Sequence, residues 1–313
     1  MNIEILEALK SKNENKVFDS FRNESDLQNA LKSMTLLALH EKTEIKNRRA
    51  IELTNSLRDL QKLDLETSLL NEAFEWALKL LLQMEFEEMN KELILPDPSQ
   101  IGQSIYIGDF EHALRTANLK ESFNVLAQSM QVTDSRNFLI EIILGSAVSN
   151  FDDDCQTIRF VNSCCRSLGL LSSKFINFIF YPCIQEICKS EIGYIELPEH
   201  IKPEIDFTKV YEDSLKLKTE NQDIFANLLH LEYIYKNVKV KPIQIQRNIS
   251  AHVKLLFMEK ELNQSQTIFD KKDFESALNK CFKNEDFNSE NILGFCFLMG
   301  KKVISEKSNL SGL

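Results

Sequence analysis

Glycine and proline are scarce, at 8 and 6 of 313 residues. A β-rich chain turns every ~8–12 residues and sets many of those turns on these two residue types. Their scarcity, beside abundant Leu, Glu, Lys, Asn and Ser, argues against an all-β body. It predicts helices joined by short polar turns. Long apolar runs are missing too. Glu141 and Lys174 interrupt the two best stretches, so no membrane span is expected. Met1 to Lys16 mixes charged and polar residues without an apolar run, and no secretory leader is expected there. Positive charge is in deficit. The net charge of −10 runs against the basic face of a nucleic-acid binder, so nucleic acid is not an expected partner. One local exception is Lys236, Lys239, Lys241, Arg247 and Lys254, either a solvated face or a site for phosphate or an acidic partner. A disulfide framework is also missing. The seven cysteines are odd in number and most lie among apolar residues, which fits buried thiols in a reducing, cytoplasmic compartment.

What is present suits a folded helical protein. Hydrophobic residues make up 43% and charged residues 27%, the balance of a chain that can bury a core. Its length exceeds the usual size of one compact domain. The most apolar stretch, Asn137 to Cys188, predicts three consecutive helices covered on more than one side. Pro182 should kink or split the third after Phe180. Upstream, Ile5, Leu6 and Leu9 recur at helical spacing, as do Leu27, Leu31, Met34 and Ala38, then Ile45, Leu53, Leu57 and Leu60. Asp64 is placed to cap a helix running to about Lys91, whose end carries Glu85, Glu87 and Glu88. Pro242 should open a late helix, and Asn291 to Val303 should form the last one.

Two similar breaks, Leu95-Pro96-Asp97 and Leu197-Pro198-Glu199, divide the chain. The expected units are residues 1–95, 96–196 and 197–313. Asp109-Phe110-Glu111-His112-Ala113-Leu114, Asp206-Phe207-Thr208-Lys209-Val210-Tyr211 and Asp273-Phe274-Glu275-Ser276-Ala277-Leu278 read as three irregularly spaced copies of one helix start. In each, Asp is placed to cap the helix and Phe is its first apolar residue. A weaker echo links Ala30-Leu31-Lys32-Ser33-Met34 with Leu126-Ala127-Gln128-Ser129-Met130. The expected fold is all-α, a helical array or solenoid-like stack of degenerate multi-helix units. The competing reading is that Asp-Phe starts unrelated amphipathic helices. Gly108-Asp109-Phe110 with Ala113-Leu114, and Lys272-Asp273-Phe274 with Ala277-Leu278, resemble tetratricopeptide helix–turn–helix units. The ~34-residue period and the Trp–Leu–Gly signature of that family are missing. The resemblance implies a helical array and carries over no binding residue.

Motifs for chemistry are few. Within Asp109-Phe110-Glu111-His112, Asp109 and His112 form the nearest carboxylate–imidazole pair, at i,i+3, with Asp109 better placed as a cap, and no metal site is expected. Cys164-Cys165 and the Cys183, Cys188 pair lack zinc-type spacing and read as small buried hydrophobes. Asp152-Asp153-Asp154 reads as a turn before a helix. Gly294 to Lys301 lacks the spacing, the Ser/Thr and the preceding strand of a phosphate-binding loop. No catalytic residue and no cofactor is therefore assigned. The expected function is a non-catalytic interaction or scaffold protein presenting a groove to a protein partner. The alternative is a helical enzyme or small-molecule binder with an apolar pocket in the 137–188 helices, lined by Phe175, Phe178, Phe180 and Tyr181 near Pro182.

Overall fold

A computed structural model describes residues 2–22, 26–42, 48–87, 107–132, 136–151, 155–171, 175–189, 202–217, 222–257, 271–283 and 289–310. Among these the chain is all-α, with fifteen helices and no strand. They are α1 (Ile3–Lys10), α2 (Glu14–Arg22), α3 (Leu27–Ala38), α4 (Ala50–Leu60), α5 (Thr67–Gln83), α6 (Ile107–Arg115), α7 (Leu119–Val132) and α8 (Arg136–Val148). There follow α9 (Gln156–Ser167), α10 (Ile176–Lys189), α11 (Phe207–Leu215), α12 (Gln222–Asn237), α13 (Pro242–Phe257), α14 (Lys271–Phe282) and α15 (Ser289–Leu310). Both Leu-Pro breaks and Asp152 to Asp154 lie outside the described residues.

Local chemistry accounts for many helix ends. Asn2 caps α1 by accepting from Ile5 N–H at 3.1 Å, and Asp26 caps α3 through Gln28 N–H at 2.9 Å. The expected cap at Asp206 forms, accepting from Lys209 N–H at 3.2 Å. Asp109 and Asp273 instead sit inside the first turns of α6 and α14. All three partner phenylalanines, Phe110, Phe207 and Phe274, are buried. Pro242 is the first residue of α13. Helix α10 runs through Pro182 without splitting.

The expected helix from Asp64 to Lys91 is shorter at both ends. Helix α5 spans Thr67–Gln83, and Glu66, not Asp64, is its N-cap. The chain then turns extended. Lys42 N–H donates to Glu85 C=O at 2.8 Å, and Glu87 N–H donates to His40 C=O at 2.7 Å, around an isolated bridge between Glu41 and Phe86. Glu85 and Glu87 therefore do not burden a helix C-terminus. Backbone pairing with the end of the α3 segment outcompetes continuation of the helix.

Two helical hairpins share one turn. In Ala8-Leu9-Lys10-Ser11-Lys12-Asn13, the Ser11 hydroxyl donates to Glu7 C=O at 2.9 Å, Lys12 is left-handed, and Asn13 accepts from Lys16 N–H at 3.1 Å. In Ala113-Leu114-Arg115-Thr116-Ala117-Asn118, Thr116 donates to His112 C=O at 2.9 Å, Ala117 is left-handed, and Asn118 accepts from Glu121 N–H at 3.1 Å. The α1–α2 and α6–α7 turns thus match in hydrogen bonding as well as in sequence.

Four helices form the centre: α4 packs on α9, α9 on α12, α12 on α15, and α15 back on α4. The pairings fix their sense. Between α4 and α9, Glu52 meets Arg159, Asn55 meets the Ser163 carbonyl, and Asp59 meets Arg166. Between α9 and α12, Asn162 meets His230 and Arg166 lies over the Tyr233 ring. Between α12 and α15, Gly300 abuts Phe225 and Ala226, and Lys307 meets Glu232. In each pair both residue numbers rise together, so neighbours run parallel. On the α15–α4 side, Ser56 meets Cys296, and Lys62 shares a cavity with Glu306 and Lys307 further along. Parallel neighbours need return helices, and these pack around the ring: α3 and α5 on α4, α8 and α10 on α9, α11 and α13 on α12, α14 on α15. One continuous apolar core runs from Ile5 to Ile304. In an open stack each unit touches only its sequence neighbours. Here the last described helix also touches α4.

Candidate functional site

The inner faces of the ring carry polar side chains. Glu52, Asn55, Ser56 and Asp59 recur at helical spacing on one face of α4. With Ser163 of α9, His230 of α12 and Cys296 of α15, they line a cavity on the ring axis. It offers about 40 Å³ of room for water. That suits a few water molecules and excludes an organic ligand in this conformation.

Most buried charge here is already committed. Arg159 and Arg49 both donate to Glu52, the second at 3.2 Å. Glu41, from outside α4, caps it by accepting from Arg49 and Ala50 N–H, each at 2.9 Å. Burial pushes the Glu41 carboxyl up to about 7, against the pull of those N–H groups and of Arg48 and Arg49. Asn162 and His230 share a 2.7 Å hydrogen bond, and burial holds His230 well below its ordinary range, hence neutral. The Ser163 hydroxyl and Asn162 Oδ1 are buried with no partner among the described residues. Ser163 lines the cavity, where water would satisfy its hydroxyl. Burial lifts the Cys296 thiol to about 12, which keeps it protonated, and Ser56 donates to its sulfur at 3.3 Å.

The axis opens at the C-terminal end of the ring. Arg166 Nη2 donates to both Asp59 oxygens, at 2.9 and 2.7 Å, between the cavity and the outside. Burial opposes ionisation of Asp59, but Arg166 and Lys62 outweigh it and hold the carboxyl below its usual range. Beyond lies a groove of about 370 Å³ bordered by Lys62, Leu63, Glu232, Tyr233, Lys236 and Lys307. A second groove, of about 610 Å³, continues past Arg58, Ile140, Glu141, Leu144 and Leu168. The two share Arg166, Tyr233 and Asn237. The Arg166 guanidinium lies 5.9 Å from the Tyr233 ring centre, and Tyr233 is 39% exposed.

The residues singled out from sequence scatter. Of the basic cluster, Lys236 lines the mouth, and Lys239 Nζ donates to the Lys236 carbonyl at 2.9 Å. Lys241 pairs instead with Glu111 at 2.6 Å, and Arg247 and Lys254 lie on α13. Glu111 is thereby occupied by a cation, and no set of three His, Cys, Asp or Glu that could hold a metal occurs among the described residues. All seven cysteines are free. Burial, then hydrogen bonding with Cys164 and Cys165, raises the Cys183 thiol well above its usual range. Phe180 is buried in the core, Phe178 meets His40 edge-on at 5.3 Å, and Tyr181 stacks on Phe123 at 4.6 Å. Gly294 to Lys301 is interior to α15.

The residues that matter at the axis were missed in the sequence, although a signal exists. Ile51-Glu52-Leu53-Thr54-Asn55-Ser56 and Ile158-Arg159-Phe160-Val161-Asn162-Ser163 follow one pattern, and they face each other in the ring. No family model matches the chain, and neither curated proteins nor solved structures show a significant match.

Proposed function

We propose that the chain is a non-catalytic helical interaction protein and that the mouth of the ring is the groove it presents to a protein partner. The observation that carries this reading is the junction of two open grooves at Arg166 and Tyr233. Tyrosine and arginine are among the side chains that most often anchor protein interfaces, and here a partly exposed ring lies against a guanidinium. The axis, by contrast, offers water-sized space, paired charges and a buried thiol, which weighs against chemistry at the axis. The alternative, a small-molecule site in the 137–188 helices, would fall in the second groove, which α8 and α9 mainly line. The shared hairpin turn supports descent from a repeated helical unit, in keeping with the tetratricopeptide-like resemblance. Seven free cysteines support a reducing, cytoplasmic setting.

The test is a photo-crosslinking amino acid placed at position 233, with position 255 of α13 as control. The proposal expects one protein joined at 233 and not at 255. That protein, once purified, should bind the Tyr233→Ala chain at least about tenfold more weakly. Equal binding by the variant, or capture only at 255, would refute the reading.

A further inference from the structure

The two sides of each ion pair at the mouth are not equally placed. The side chains of Asp59 and Glu232 are 22% and 6% exposed. Those of Lys62, Lys236 and Lys307 are 63%, 63% and 38% exposed. Carboxylates therefore lie beneath and ammonium groups lie outside. Glu232 holds both Lys236 and Lys307, and Asp59 holds both Arg166 and Lys62. Four cations thus share two anions, Glu232 buried and Asp59 partly buried. Glu306 is the exposed carboxylate on this rim, and Lys302 pairs with it at 3.4 Å. Glu141, in the second groove, already accepts from the Lys239 and Val240 N–H groups at 2.6 and 2.9 Å. Nearby, Arg58 donates to the Arg166 carbonyl at 2.9 Å, while its Nε has no partner among the described residues. The outermost charges on this rim are thus Lys62, Lys236 and Lys307 against Glu306, above Asp59, Glu232 and the C-terminal ends of four parallel helices.

We infer that the groove takes an acidic, extended segment of the partner, its carboxylates set against Lys62, Lys236 and Lys307 beside the Tyr233 ring. This rests on the interaction reading above. Charge complementarity of this kind steers association and selects the partner. A nucleic-acid strand fits less well. It would need a longer cationic track and a row of stacking rings, and the rest of the chain repels it.

A fluorescein-labelled peptide rich in Asp and Glu is titrated with the full chain and read by anisotropy. Its Gln-substituted twin and a single-stranded RNA serve as comparisons. The acidic peptide should bind, about tenfold more tightly than the Gln peptide, and should weaken severalfold between about 50 and about 200 mM salt. The double variant Lys62→Gln, Lys236→Gln should weaken it about tenfold while circular dichroism shows the chain still folded, because Lys307 still pairs with Glu232 and Arg166 with Asp59. Equal binding of both peptides, tighter binding of RNA, or indifference to the double variant would each overturn the inference. If the protein joined at position 233 then binds wild type and double variant alike, the groove is an interface for a partner that is not acidic. The interaction reading would survive and the inference would not.

Discussion

Arg159 donates to the Glu52 carboxylate across the α4–α9 interface, and both side chains are sealed from solvent. Arg49 donates to the other Glu52 oxygen. One carboxylate thus balances two guanidinium groups between two parallel helices.

Removing that carboxylate should be severe. Glu52→Ala removes the buried carboxylate that Arg159 and Arg49 share and should cost about 3–5 kcal/mol. Replacing the pair together, as Glu52→Leu with Arg159→Met, should recover much of the loss. Denaturant midpoints of the two variants check this. Equal losses would mean that the two residues do not act as a pair.

Two glycines of one helix should respond in opposite ways. A Cβ on Gly300 would lie 3.0 Å from Phe225 Cβ and 3.3 Å from the Ala226 nitrogen, so α15 and α12 would have to part. Gly300→Ala should cost about 1–3 kcal/mol. A Cβ on Gly294 meets nothing within 4 Å. Gly294→Ala should stabilise by about 0.5–1 kcal/mol through helix propensity alone. Thermal melts of the two variants decide it. A harmless Gly300→Ala would contradict the close parallel packing of these helices.

Stability should depend on pH with two opposed contributions. Burial lowers His40 and His252 to about 4 and His230 well below its usual range. Between pH 4 and 6.5 the unfolded chain binds these protons and the folded chain does not, so stability rises with pH there. Glu41, raised to about 7, has the opposite sign. Its folded form holds a proton that the unfolded form releases above about 4.5, so its contribution falls as pH rises toward 7. Three histidines outweigh one carboxyl, so stability rises throughout this range and flattens near pH 7. Urea melts across this range should show the flattening. Glu41→Gln should steepen the rise between about pH 4.5 and 7 while keeping an oxygen for the α4 N–H groups.

The helical class and several elements were legible. The apolar stretch from Asn137 to Cys188 resolves into α8, α9 and α10, because burial on several sides needs apolar residues all round. The ring was not legible, since pairings such as Glu52 with Arg159 join residues far apart in sequence. The Asp-Phe starts drew attention to α6, α11 and α14, which lie around the ring. The paired Asn-Ser motifs of α4 and α9 were the better guide. At the axis, Asn55, Ser163 and His230 each lie on a polar helix face. A sequence pattern cannot distinguish such a face turned to a shared axis from one turned to water. The overlong helix after Asp64 had a similar cause. Leu81, Met84 and Phe86 continue an apolar pattern, but Phe86 belongs to the bridge with Glu41.

The parallel ring is tested most directly by its own lysines. Lys62, Lys236 and Lys307 come from three segments and border one groove only if α4, α12 and α15 point the same way. A short amine-reactive cross-linker on the native chain, read by mass spectrometry of the digest, should join all three pairwise. Efficient linkage among other lysines with none between Lys62 and either Lys236 or Lys307 would contradict the ring and the groove built on it.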